Sequence, residues 1–159
     1  VDAAATVLTL GGGSWRKLGS DGSWVPWLAA RGIDVAPLAP SNVGFDCAWS
    51  AHFRERHAGA PLKRVRLSVV GADGTVHVQE GEMVLTRYGI EGQLVYALSA
   101  PLRDAIAARG PCVVSLDLLP QTDIDTLATR LAAPRGKRSL GEHWRRVAGL
   151  DGARAGLVH

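Results

Sequence analysis

Residues 62–70 alternate apolar and polar side chains, the turn Gly71-Ala72-Asp73-Gly74 follows, and the alternation resumes over residues 75–79. A strand buried on one face repeats every two residues, and a glycine- and aspartate-bearing turn lets the chain reverse, so this stretch reads as a β-hairpin. A lone hairpin is marginal in water and needs further strands or a covering helix. Residues 82–86 and 111–119 are the expected additional strands. In the second, Val113, Ser115 and Asp117 fall on one face and Val114, Leu116 and Leu118 on the other.

Between those strands Leu94, Leu98, Leu102 and Ile106 recur every four residues, the spacing of one helix face. Pro101 removes a backbone donor, so the helix is expected to break or restart near residues 99–101 and to end at Arg109-Gly110. Trp49 and Phe53 point to a short helix reaching about His57. After Pro120 the pattern becomes wholly helical. Ile124, Leu127, Ala128, Leu131 and Ala132 define one stripe. Ser139 and Glu142 have the spacing of a capping box ahead of Leu140, Trp144, Val147 and Ala148, and Gly149 closes that helix. A third helix is expected within residues 151–158.

The opening has a different character. Residues 5–10 (Ala-Thr-Val-Leu-Thr-Leu) form a β-prone apolar run stopped by Gly11, Gly12, Gly13 and Ser14, as a strand inside a parallel sheet would end. Residues 23–31 carry Trp24, Trp27 and Leu28 at helical spacing, with Gly32 as terminator. Strand, glycine loop and helix thus follow in order, and Pro37, Pro40, Ser41 and Asn42 mark a domain boundary. Three regions are expected: residues 1–40, 41–120 and 121–159. The start at Val1-Asp2-Ala3, without methionine, reads as an excised piece of a longer protein.

A content of 47% hydrophobic and 21% charged residues excludes a disordered chain. No apolar run approaches a bilayer span, and no signal peptide is legible, so no membrane partner is expected. Cys47 and Cys112 form no CxxC pair, which favours a reducing, cytoplasmic setting. The net charge of +3 is concentrated locally, in Arg135, Lys137, Arg138, Arg145 and Arg146. A glycine loop after a strand lets backbone N–H groups approach phosphate or ribityl oxygens, but GGGS lacks the GxGxxG spacing and serves equally as a tight turn. His52 and His57 lie five residues apart and do not stack on one helical face as metal ligands, so no metal is expected. Asp117 reads as a solvated strand residue rather than a base, and no catalytic residue is legible.

The run Val7-Leu8-Thr9-Leu10-Gly11-Gly12-Gly13-Ser14-Trp15-Arg16-Lys17-Leu18-Gly19-Ser20-Asp21-Gly22 resembles an FAD-contacting motif of the YhiN/BaiN flavoprotein family, which includes aminoacetone-oxidase-like enzymes. The resemblance continues through Pro40-Ser41-Asn42-Val43-Gly44-Phe45, Leu85-Thr86-Arg87-Tyr88-Gly89-Ile90-Glu91-Gly92, Leu116-Asp117-Leu118-Leu119-Pro120 and Pro134-Arg135-Gly136-Lys137-Arg138-Ser139-Leu140. It implies an α+β fold: a remnant strand-loop-helix of a Rossmann-type FAD domain, then a β-barrel-like subdomain with mixed strands, then a small all-helical subdomain.

The same resemblance implies that Gly11, Gly12, Gly13, Ser14, Gly19, Ser20, Asp21 and Gly22 border FAD, and that Arg87, Tyr88 and Gly89 approach a small-molecule substrate. It also implies that the halves of the FAD domain bearing the GxGxxG motif and the closing glycine-rich segment lie outside these residues, leaving an oxidoreductase insert that is inert alone. Use of NAD(P)H is left open. Arg16 and Gln93 stand where relatives often carry proline, and Arg87 where many carry histidine, so a role depending on that histidine does not transfer. Two other classes remain. One is a small-barrel nucleic-acid module using the Arg135–Arg146 cluster, disfavoured because aromatic platforms are missing from the strands. The other is an oligomerising insert, with self-association through apolar helical stripes or exposed Trp24 and Trp27.

Overall fold

The computed structural model describes residues 3–158. They divide into two compact units, one ending at Pro40 and one beginning at Ser41.

The first unit contains a 3-10 turn, Arg16–Leu18, and helix α1, Val25–Ala29. Residues 5–10, expected to be a strand, are not one: among the described residues they pair with nothing, and Val7 is 84% exposed. A parallel-sheet strand takes its stability from hydrogen-bonded neighbours on both sides, and the described residues of this unit include no strand to provide them. The α1 helix is shorter than the expected 23–31 but ends as expected. Gly32 takes φ +72, and Ile33 N–H donates to Leu28 O at 3.1 Å in a left-handed cap.

Among the described residues the second unit holds five strands: β1 Phe45–Asp46, β2 Pro61–Val70, β3 Val76–Leu85, β4 Gly89–Glu91 and β5 Val114–Asp117. They form one antiparallel sheet in the order β1-β4-β3-β2-β5, curled into a half-barrel. The expected hairpin is β2–β3, with Gly74 at φ +85 in its turn. The separate strand expected at residues 82–86 is instead the second half of β3, because β2 is long enough to pair along all of it. A bulge accommodates the mismatch. Leu62 pairs with Met83 and Val65 with Gly81, so β2 carries one extra residue, and Arg64 adopts φ +52 there. The extra residue lets Leu62 and Val65 both face inward with Leu67 and Val69, although their spacing breaks the period of two.

Helix α2, Ala51–His57, is capped by Ser50, whose Oγ accepts from Phe53 N–H at 3.1 Å. Helices α3, Gln93–Ala97, and α4, Ser99–Arg109, lie between β4 and β5 in the chain, with the break at Leu98. Pro101 occupies the first turn of α4, where its missing N–H costs no helical bond. Ser99, fully buried, satisfies its hydroxyl against Val95 O and Val43 O at 3.3 Å while accepting from Val43 N–H at 3.2 Å. Leu94, Val95, Leu98 and Leu102 complete the core against Leu62, Val65, Leu67, Val69, Met83, Leu85 and Ile90. Each buried leucine contributes about 1.5–3 kcal/mol by leaving water. Gly81 faces Leu94 of α3, and a Cβ there would meet Leu94 Cβ at 3.5 Å, an ordinary contact distance.

Helices α5, Ile124–Ala132, α6, Leu140–Ala148, and α7, Gly152–Val158, follow. Ser139 caps α6, its Oγ accepting from Glu142 N–H at 3.2 Å, while among the described residues the reciprocal bond of a capping box, from Ser139 N–H to the Glu142 carboxylate, is not made. His143 is buried, its Nε2 3.1 Å from Leu131 O, which joins α6 to α5. Ile124, assigned to the buried stripe of α5, is 77% exposed, because it is the first residue of the helix and precedes the α5–α6 contact made around Leu131.

The tightest crossing in the unit is at Gly89. A Cβ there would lie 1.9 Å from Phe45 O and 2.8 Å from Asp46 Cα and Cys47 N, all backbone atoms. Gly89→Ala is therefore expected to lower the unfolding free energy by roughly 3–5 kcal/mol, since no side-chain motion relieves the overlap. Gly141→Ala, in α6 with open space around it, is expected to change it by no more than about 1 kcal/mol, upward. Urea denaturation of the two variants measures the contrast.

Candidate functional site

The first candidate surface is the glycine loop of the unit ending at Pro40. Trp15 and Ser20 bridge, their N–H groups donating to each other's carbonyls at 2.9 and 3.1 Å, and Gly19 caps the intervening turn at φ +84. Gly22 N–H donates to Gly12 O at 3.1 Å, so the second glycine strip folds back on the first. Gly13 packs beside both: a Cβ there would come 3.8 Å from Gly22 Cα, an ordinary contact, and 2.8 Å from Leu38 Cδ1, the tip of an exposed side chain that would have to turn aside. Trp24 Nε1 donates to Gly11 O at 3.1 Å. Asp21 accepts from Ser23 N–H at 3.0 Å, and that backbone donor, followed by the Ser23 side chain, holds its carboxyl below the usual range.

Gly11, Gly12, Gly13, Ser14, Gly19, Ser20, Asp21 and Gly22 are thus brought together as one folded-back loop. Among the described residues, the N–H groups of Gly11, Gly12, Gly13 and Ser14 donate to no protein acceptor. Consecutive free amides beside glycines suit a pyrophosphate or ribityl oxygen, which is the fit FAD requires of such a loop.

The second candidate surface is the turn at residues 86–92 in the other unit. Thr86 Oγ1 accepts from Gly89 N–H at 2.9 Å and Tyr88 N–H at 3.3 Å, and Thr86 N–H donates to Gly89 O at 2.8 Å. Cys47 N–H donates to Tyr88 O at 2.8 Å, and Trp49 Nε1 to Gly89 O at 3.3 Å. This turn is pinned on both sides. Gly89 is buried beneath residues 45–47, whereas Arg87 and Tyr88 form its exposed tip, Tyr88 at 69%. A guanidinium and a phenol project from a rigid backbone there, the pair of groups that binds an anionic or carbonyl oxygen. Gln93 opens α3, a first-turn position that accepts proline equally well, so this departure from the family pattern leaves the backbone unaffected.

Other residues singled out in the sequence belong to neither loop. Arg135, Lys137, Arg145 and Arg146 are exposed around the α5–α6 connection. The outward face of the sheet carries Arg66, Ser68, Val70, Val76, Val78, Glu80, Ser115 and Asp117, with no aromatic platform. Asp117 ion-pairs with Arg66 at 3.6 Å at the surface, and Arg66 also pairs with Glu80 at 2.6 Å. Cys47 and Cys112 are free thiols packed at the edge of the core, and burial, then the Asp46 charge, pushes the Cys47 thiol up. Among the described residues no three His, Cys, Asp or Glu side chains cluster as a metal site, and no helix is long and apolar enough to cross a membrane.

Several fixing interactions had no counterpart in the sequence reading. Arg109, at the end of α4, donates to Val70 O, Gly71 O and Ala72 O at 2.9, 3.0 and 3.4 Å and so clamps the hairpin turn. Arg154 of α7 donates to Lys63 O at the bulge. A basic residue beside a helix-ending glycine was the visible signal for Arg109, but nothing local names its acceptors.

No curated protein matches the chain. Residues 39–147, well over half its length, match the family described as the HI0933-like protein barrel and H2TH domain. The span contains Arg87, Tyr88 and Gly89 and begins after the glycine loop. Together with the half-barrel and the helices that follow it, this match settles the kinship: the chain belongs to the HI0933-like family, that of the YhiN/BaiN-type FAD flavoproteins, whose members are FAD-dependent oxidoreductase-like proteins.

Proposed function

We propose that this chain is the part of an FAD-dependent oxidoreductase that covers the flavin and shapes its substrate side. The observation that carries the reading is the match of residues 39–147 to a domain of a flavoprotein family. Two local features support it. The N–H groups at residues 11–14 are free to hold anionic or ribityl oxygens of FAD, and Gly19, Ser20, Asp21 and Gly22 hold that strip in shape. Arg87 and Tyr88 stand exposed on a turn that Thr86, Cys47 and Trp49 pin, so their backbone is preorganised for contact with a small-molecule substrate or the flavin edge.

The bound flavin supplies the hydride chemistry, while the protein's part is to position it and exclude competing reactions. A guanidinium at Arg87 is charged at every working pH, so it can neutralise an anionic substrate but cannot move a proton. That assigns it binding and orientation rather than acid–base work. A single glycine loop gives few contacts for a dinucleotide, so the remaining parts of the FAD domain are expected from the longer protein, and this chain alone is expected to be inert.

An absorbance spectrum over roughly 300–550 nm, where flavins absorb, tests both parts of the proposal. The longer protein is expected to be yellow and the 159-residue chain colourless. A longer protein that is colourless and cannot be reconstituted with FAD would overturn the assignment. Stoichiometric flavin on this chain alone would overturn its inertness.

A further inference from the structure

A cavity of about 510 Å³ lies between α2 and α7, within the unit that begins at Ser41. That is the size of a small-ligand site. From α2 it is lined by His52, Phe53, Arg56 and His57, and from α7 by small residues that include Gly156. The five-residue spacing of His52 and His57 argues against a shared metal ion, yet the cavity faces both, because its mouth spans more than one helical turn.

Three features define what it can hold. First, its wall is cationic or protonatable, and among the described residues no carboxylate lines it: neither Glu55 nor Asp151, the nearest acidic residues along the two helices, is among the lining residues. Second, His52, Arg56 and His57 side chains meet no hydrogen-bond acceptor or ion-pair partner among the described residues. Third, the apolar part of the lining is small: Phe53 of α2, whose ring centroid lies 4.9 Å from that of His57 with the planes tilted by 53°, and Ala155 of α7.

Gly156 lets the α7 backbone approach the His57 ring: a Cβ there would come 2.5 Å from His57 Nε2, so the imidazole would have to shift. The electrostatics agree with the geometry: burial, then the Arg56 and His52 charges, lowers the His57 pKa, as expected for a cationic wall without a counter-charge.

We propose that this cavity binds a small organic anion, a carboxylate or phosphate group carried on a small apolar body. The anion sits between Arg56 and the two imidazoles, and the body lies against Phe53. None of its lining residues belongs to the glycine loop or to the Arg87–Tyr88 turn, and the proposal stands whether or not the chain's longer form carries a flavin.

The test is an NMR titration of the histidine Cε1–H signals of the full chain near pH 6, with inorganic phosphate in one arm and benzoate in the other, at matched ionic strength in sodium chloride. Saturable shifts of His52 and His57, with buried His143 unmoved, are expected. The probe that saturates at lower concentration identifies the anion as phosphate-like or carboxylate-like. At saturation the His57 titration midpoint should rise, because the anion favours the protonated ring. Arg56→Gln, at an exposed position, should weaken binding about tenfold or more, and His52→Gln should weaken it less. Absence of saturation by either probe, shifts at His77, outside the cavity, equal to those at His57, or unchanged binding in Arg56→Gln would overturn the site.

Discussion

Two backbones cross at Gly89 with no side chain between them, and the architecture from Ser41 onward depends on that contact. Phe45–Asp46 can pair with Gly89–Glu91 only because position 89 carries no Cβ. The pairing sets the first edge of the sheet and brings Trp49 within reach of Gly89 O. Trp49 then seats Phe53, and Phe53 seats His57, so a two-residue strand fixes the orientation of an entire helix. On the other side the same turn delivers Gly92 at φ +104, which permits α3 to start directly over β3. The exposed pair Arg87 and Tyr88 inherits its rigidity from this arrangement.

The core spreads from there by ordinary burial, but three polar residues decide its details. Ser99 ties the chain at Val43 to the start of α4, Arg109 ties the end of α4 to the hairpin turn, and Arg154 ties α7 to the bulge in β2. Each satisfies backbone groups that the sheet or helix leaves without partners, which is why irregular backbone persists at those places.

Features with a strong local cause were legible in the sequence. The β2–β3 hairpin follows from alternation and a glycine turn, the break at Leu98 from Pro101, and the start of α6 from Ser139 and Glu142. Features caused at a distance were not. β1 and β4 are too short to show a period, and the division of β3 into two strands was an error that only its pairing with β2 corrects. Residues 5–10 have the composition of a buried strand but no sheet to join, so composition alone misled. For the candidate sites the balance is similar. Glycine content marked both loops, yet the free amides at residues 11–14, the burial of Gly89 beneath residues 45–47, and the meeting of His52, Arg56 and His57 across from Gly156 are tertiary facts.

Native-state hydrogen exchange on the 159-residue chain tests most directly the claim that the glycine crossing organises an autonomous half-barrel domain. The amides of Cys47, Leu85 and Leu67 are expected to exchange only through the same global opening, while those of residues 7–10 exchange at close to unfolded rates. If Cys47 and Leu85 exchange by local fraying, well ahead of Leu67, or if residues 7–10 are as protected as the sheet, the Gly89 crossing is not the element on which the fold depends.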